Sequence, residues 1–342
     1  MKRFFKYSFA AVVFMSLLEV ALRMAGFQVH RVVETKVSSH PNGAMIYHPY
    51  YGLALNPGRY DVTINDGLHY VANHEMDSAR STGSAVDKGL PLVYFYGCSF
   101  TYGMGVNDWE TFPSLLQQQY PEWQFKNYAV PGYSTVHGLL QLQSAIEKDK
   151  LPQLVVLGYT SYQDARNQLS GIQQKYWSES LPLVNLDGKQ DAHLPYVRKK
   201  NAGFEIDYLP FSAMQRRWAL SRHLVFINRF ENAMSHLIYG FTDKYKLTEW
   251  IMNEMNVICK AHHIKFIVVA LDRSESAYKM EYYCAENNID FLDATIDIQD
   301  AHFNLQPFDS HPNQVAHAHY ARRLNNYLKA SEFQLKENAQ IE

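Results

Sequence analysis

The run LPLVYFYGCSFTYG occupies residues 90–103. Leu92 to Tyr96 is a short apolar stretch closed by Gly97, which reads as a strand buried on both faces. Cys98, Ser99, Phe100 and Thr101 then turn toward a helical segment. The same grammar repeats outward. Trp109–Tyr120 reads as a helix, 124–130 as a strand, and Ser134–Glu147 as a helix with Ser134 as N-cap. Residues 153–160 form another apolar strand pattern. After an interruption, Leu247–His263 reads as a helix, 265–272 as a strand, Ser274–Asn288 as a helix, 289–295 as a strand and Pro312–Ala330 as a last helix. This alternation predicts a parallel sheet covered on both faces, a three-layer α/β/α sandwich. Ligands of such sheets bind at the carboxyl ends of the strands. The loops after Gly97, Val130, Thr160 and the final strand are therefore the ones to inspect.

Composition narrows the function classes. With 47% apolar and 19% charged residues among 342, the chain can build a large core, which excludes long disorder. Lys and Arg number 32 against 34 Asp and Glu, a net −2 that argues against nucleic-acid binding. The three cysteines match no zinc spacing. Cys98 reads as a small packing residue, whereas Cys259 and Cys284, on consecutive helices, are a candidate disulfide outside the cytoplasm. No cofactor is expected. Gly103-Met104-Gly105 lacks the rest of a nucleotide motif, and His317 and His319, two apart on a helix, diverge by about 200°, so with His311 they make no metal site.

The N-terminus carries Lys2, Arg3 and Lys6 ahead of an apolar run from Tyr7 to Phe27. A helix of that length spans about 31 Å, one bilayer core. Glu19 and Arg23 are four apart and can pair. No A-x-A-like site follows the run, so an uncleaved signal anchor over residues 1–27 fits better than a cleaved signal peptide. The basic end would stay cytoplasmic and the remainder would lie outside. Residues 28–89 read as a β-rich lead-in, 90–330 as one α/β domain, and 331–342 as a polar tail. An interruption at about 165–243 is expected to be a helical insertion. It is basic and aromatic at Arg198, Lys199, Lys200, Arg216, Arg217 and Trp218, with Leu220, Leu224, Ile227, Met234, Ile238 and Phe241 at helical spacing. It would cover the main domain or cap a substrate site.

Ser99 sits in a glycine-flanked turn between strand and helix, where its hydroxyl is exposed and backbone N–H groups are free to hold an oxyanion. A serine nucleophile needs a base, and the base an orienting group. Asp309-Ser310-His311-Pro312 supplies both. Residues two apart in extended chain face one way, and Pro312 suits the first turn of the following helix.

GCSFTYG followed by a late DSHPN resembles the SGNH hydrolase (GDSL-type esterase) family over about 90–330, the insertion aside. An apolar N-terminal helix before a β-rich lead-in is similar to its membrane-anchored members. The resemblance implies an SGNH/flavodoxin-like sandwich, with Ser99 as nucleophile, His311 as base and Asp309 as its partner. It also implies an oxyanion hole from the N–H groups of Ser99 and of Gly132, in Asn127-Tyr128-Ala129-Val130-Pro131-Gly132. Cys98 stands where the family often has Asp, and one residue separates Asp309 from His311 where many members have two. The family's Gly-x-Asn-Asp motif is absent. The corresponding run is Gly158-Tyr159-Thr160-Ser161-Tyr162-Gln163-Asp164-Ala165-Arg166-Asn167. Gln163 is the expected amide donor, with Asn167 the alternative. Losing such a donor costs about 100- to 1000-fold in rate.

The expected function is hydrolysis of a carboxylic ester, O-acetyl esters included, on a small molecule, lipid or glycan outside the cytoplasm. Two other readings remain open. An O-acyltransferase would use the same residues with a glycan hydroxyl as acceptor. A non-catalytic glycan-binding or assembly protein would explain the missing Asn-Asp.

Overall fold

The computed structural model describes residues 2–29, 35–84, 89–180, 192–201, 203–217, 220–240 and 243–331. Helix α1 (Lys2–Met24) precedes strands β1 (Val37–His40), β2 (Met45–His48), β3 (Gly52–Leu55), β4 (Gly58–Ile64), β5 (Leu68–His74) and β6 (Leu92–Tyr96). Next come α2 (Ser99–Tyr102), α3 (Phe112–Gln117), β7 (Gln124–Asn127), α4 (Thr135–Glu147), β8 (Leu154–Tyr159), α5 (Tyr162–Asn167) and α6 (Gly171–Ser180). Strands β9 (His193–Lys200) and β10 (Gly203–Pro210) are followed by α7 (Phe211–Arg217), α8 (Val225–Gly240) and α9 (Lys244–Ala261). The chain closes with β11 (Lys265–Asp272), α10 (Glu275–Glu286), β12 (Asp290–Ile296) and α11 (Gln314–Ala330).

Strands β12-β11-β8-β6-β7 form a five-stranded sheet, parallel throughout. Alternate residues serve opposite cores. Val93, Phe95, Val156, Ile267 and Val269 pack with Phe112 and Leu116 of α3 and Tyr320 and Leu324 of α11. Tyr94, Tyr96, Val155, Leu157 and Val268 pack with Val136 and Leu139 of α4, Ile251 and Met255 of α9 and Met280 of α10. Burial on both faces explains the apolar runs of β6, β8 and β11. The result is a three-layer α/β/α sandwich with flavodoxin-like strand order, whose direction of winding reverses between β6 and β8. Cys259 and Cys284 are both buried in the second core as free thiols. The last helix starts later than expected. Asn313, not Pro312, sets its start, its side chain accepting from the N–H groups of Val315 and Ala316.

The lead-in is not separate from the sandwich. β1, β4 and β5 form an antiparallel sheet and β2 pairs with β3. Arg80 bridges His74 at the end of β5 to Asn127 at the end of β7. Tyr60, Val62, Ile64 and Tyr70 then pack on Tyr102 of α2 and on Val130 and Tyr133 of the loop after β7.

The region 165–243 departs from the expected helical insertion. It holds α6, α7 and α8, but also the antiparallel hairpin β9–β10, registered from His193 opposite Pro210 to Lys200 opposite Gly203. Its basic run is also balanced across the hairpin. Arg198 pairs with Glu205 and Asp207, and Lys200 with Glu205. Trp218 and Phe241 lie outside the described residues, as do the side chains of Arg216, Arg217 and Ile238 and the tail beyond Ser331.

Tyr7–Met24, within α1, is long and apolar enough to cross a membrane or to act as a signal sequence. Arg23 Nε meets Glu19 Oε1 at 2.7 Å, the expected pair. Both side chains do more than pair. Glu19 accepts the N–H groups of Val225 and Phe226 at 3.0 and 3.1 Å, capping α8. Arg23 donates to the His223 carbonyl at 2.7 Å.

Candidate active site

Ser99 opens α2 directly after β6. Gly97 is required before it: a Cβ there would lie 2.2 Å from Thr101 Oγ1. Gly103 ends the short helix in the left-handed region at φ 89°. Cys98 is buried, its Sγ 3.5 Å from Thr160 Oγ1, so it packs rather than faces the cleft.

His311 arrives from the loop after β12. Its carbonyl accepts the Leu305 N–H at 3.0 Å, and Asn313 Nδ2 ties the same loop to the carbonyls of His302 and Asn304. His311 Nε2 lies 2.9 Å from Ser99 Oγ, across 212 positions of sequence. On its other side Nδ1 is hydrogen-bonded to Asp309 Oδ1, and the His311 N–H donates to that oxygen at 2.7 Å. Burial pushes the Asp309 carboxyl up, but the hydrogen bonds and charge of His311 outweigh it and hold the group below its ordinary value. Asp309 is thus an anion placed to fix the imidazole.

Gly132 follows β7 and lines the same cleft as Ser99 and His311. Its φ of +87° and a Cβ position 2.6 Å from the Trp177 ring admit glycine alone. Among the described residues, no carbonyl or side chain accepts the N–H of Ser99 or Gly132.

The third expected donor is not in the cleft. Gln163 is fully buried, its Oε1 accepts the Thr160 N–H at 2.9 Å, and its Nε2 has no partner among the described residues. Asn167 is also fully buried and bonds to Thr135, Val136 and Thr248. The reason is helical phase. With α5 starting at Tyr162, one face presents Tyr162 and Arg166 to the cleft and turns Gln163 and Asn167 inward. Tyr162 and Arg166 are the residues the sequence reading missed, and this i, i+4 spacing was the available signal.

The cleft has a volume of about 560 Å³. Val37, Met45, Leu53 and Val62 from the lead-in form part of its wall, and Tyr176 and Trp177 of α6 another. Among the described residues no group of His, Cys, Asp and Glu is arranged to hold a metal ion.

Arg80 fixes the loop after the serine. It is fully buried, pairs with Asp108 at 2.7 Å and donates to the carbonyls of Val71, Tyr102, Gly103 and Val106. Its guanidinium also lies 4.5 Å from the Tyr102 ring centre. All five N–H donors of an arginine are needed for this set. Arg80→Met leaves Asp108 buried without its cation and is expected to lower stability by about 3–5 kcal/mol. Urea unfolding measures the loss; an unshifted midpoint would contradict this role. Arg80→Lys restores the charge but not the fork and recovers only part.

No protein-family model matches the chain, and no curated protein matches it either. Among solved structures it is similar to TesA, at 11% identity over 70% of this chain and 98% of that one, with a TM-score of 0.40. A psychrotrophic esterase, EstA from Pseudoalteromonas sp., matches at 11% identity over 70% and 97%, with a TM-score of 0.40. AlinE4, described as an SGNH-hydrolase family esterase, matches at 12% identity over 72% and 94%, with a TM-score of 0.34. Two further solved structures similar to this chain are described as lipolytic proteins of the G-D-S-L family, from Desulfitobacterium hafniense and Veillonella parvula.

Proposed function

We propose that this chain is a serine ester hydrolase of the SGNH type. The observation that carries the reading is His311 held between Ser99 Oγ and Asp309 at the carboxyl end of the sheet. Ser99 Oγ attacks the ester carbonyl while His311 Nε2 takes its proton. The N–H groups of Ser99 and Gly132 hold the developing oxyanion. Collapse breaks the bond to the alcohol, which leaves with the proton from His311, and an acyl-serine remains. Water, deprotonated by His311, then attacks the acyl-serine; the acyl–Oγ bond breaks, Ser99 Oγ takes the proton back from His311 Nε2, and the carboxylic acid departs. Asp309 accepts the Nδ1–H throughout and stabilises the imidazolium.

In this proposal α1 anchors the chain in a membrane with the sandwich outside the cytoplasm. The apolar length of Tyr7–Met24 and the basic Lys2, Arg3 and Lys6 support that orientation.

A fluorophosphonate probe tests the chemistry. It would phosphonylate Ser99 Oγ in the intact protein, and mass spectrometry would find the adduct on the 99-containing peptide. Ser99→Ala would take no label. Folded wild-type protein that stays unlabelled would remove the hydrolase reading.

A further inference from the structure

Arg166 lines the cleft, and among the described residues its charge has no carboxylate partner. Among the described residues, no Asp or Glu lines that cleft. Among the described residues its guanidinium makes one hydrogen bond, from Nη1 to the Tyr133 carbonyl at 3.2 Å. That leaves most of a guanidinium's five donors unused. The Tyr162 ring, 6.0 Å away, gives a further weak contact. Arg80 pairs with Asp108, Arg198 with Glu205 and Asp207, and Arg23 with Glu19. Among the described residues Arg59, Arg229, Arg273, Arg322 and Arg323 make no ion pair either, and what sets Arg166 apart from them is its place in the cleft. A half-buried guanidinium loses hydration, so a fork left open in a cleft is a site for a planar or tetrahedral anion. Tyr133 adjoins Gly132, which places this cation one residue from the proposed oxyanion donor. The rest of the wall is mainly apolar and aromatic.

Resting on the hydrolase reading, we infer that the substrate is an anionic ester, its carboxylate or phosphate group bound by Arg166 while the acyl part lies against the apolar wall. The anion belongs to substrate and transition state alike, so it acts mainly on KM.

Butyryl esters of meta-hydroxybenzamide, meta-hydroxybenzoate and meta-hydroxyphenyl phosphate compare a neutral ester with the two anion types. Wild type should favour an anionic ester in kcat/KM, and the preferred arm says whether carboxylate or phosphate is the source. Arg166→Gln should cut the anionic-to-neutral ratio by about 10- to 100-fold, through KM. Arg166→Lys should restore part of it. An unchanged ratio, or an equal fall in kcat for all three esters, would overturn the inference; the latter would assign Arg166 to the oxyanion or to the fold. Calorimetric titration of Ser99→Ala reads binding without turnover, so it stands apart from the hydrolase reading. Tighter binding of an anionic ester, lost on adding Arg166→Gln, supports the site even if no ester is hydrolysed. Equal binding of all three esters removes it.

Discussion

Ser99→Ala is expected to lower kcat by about 10⁵- to 10⁶-fold, and His311→Ala by a similar factor. The reason is mutual dependence. In the proposed mechanism the serine has no nucleophilic strength without the imidazole 2.9 Å away, and the imidazole has no proton to take without the serine. The double variant should therefore be no slower than either single one. What survives would be the work of the Ser99 and Gly132 N–H groups and of substrate binding, about 10³- to 10⁴-fold over water. Steady-state kinetics on one activated ester, with circular dichroism to show folding, makes the measurement. Multiplying losses in the double variant would mean that the two residues act separately, and the proposed relay would fail.

Acidification is the second large effect, and it acts on stability. His74, His137 and His317 are buried as neutral rings. Burial lowers His74 from 6.5 to about 4 and His137 and His317 from 6.5 to about 3. Below 6.5 the unfolded chain protonates these rings while the folded chain does not. Stability is thus fully present above that value and falls as pH drops through the window toward 4 and 3. Between about pH 7 and pH 5 each ring contributes a loss of about 2 kcal/mol, and the three together roughly 5–6. Asp164 and Asp272, raised by burial, work in the opposite sense once the pH reaches their folded values. A loss of this size is comparable to a typical domain's whole stability. Urea midpoints at the two pH values would read it. Equal midpoints would contradict it, and His317→Gln should shrink the difference by about a third.

The sandwich was legible because its three central strands, β6, β8 and β11, are buried on both faces. Runs such as LPLVYFY and KFIVVALD leave no other reading at their length. The Ser99, Asp309 and His311 arrangement was legible because two short segments each carry their geometry locally, one as a strand-to-helix turn and one as an extended two-residue step. The β9–β10 hairpin was not. HLPYVRKK has a proline early and a charge run late, and only the facing Glu205 and Asp207 make a strand of it. The lead-in's place in the cleft wall was equally hidden, since Arg80 looks like any surface arginine until its five acceptors are assembled. Gln163 was misjudged by chemistry without phase: the right functional group on the wrong side of a short helix.

Glu19 has a mechanical meaning beyond its ion pair. It caps α8, Asn232 of α8 accepts from Lys175 of α6 at 3.2 Å, and α6 carries the Trp177 ring that limits Gly132. The N-terminal helix is therefore less a leash than the first link of a lever that ends at the proposed oxyanion turn. A fragment cut free after Phe27 would leave the first N–H groups of α8 bare and unbrace that lever. Under the proposed function, the full-length protein and a form clipped after Phe27 are then two different catalysts to compare, not one catalyst in two preparations.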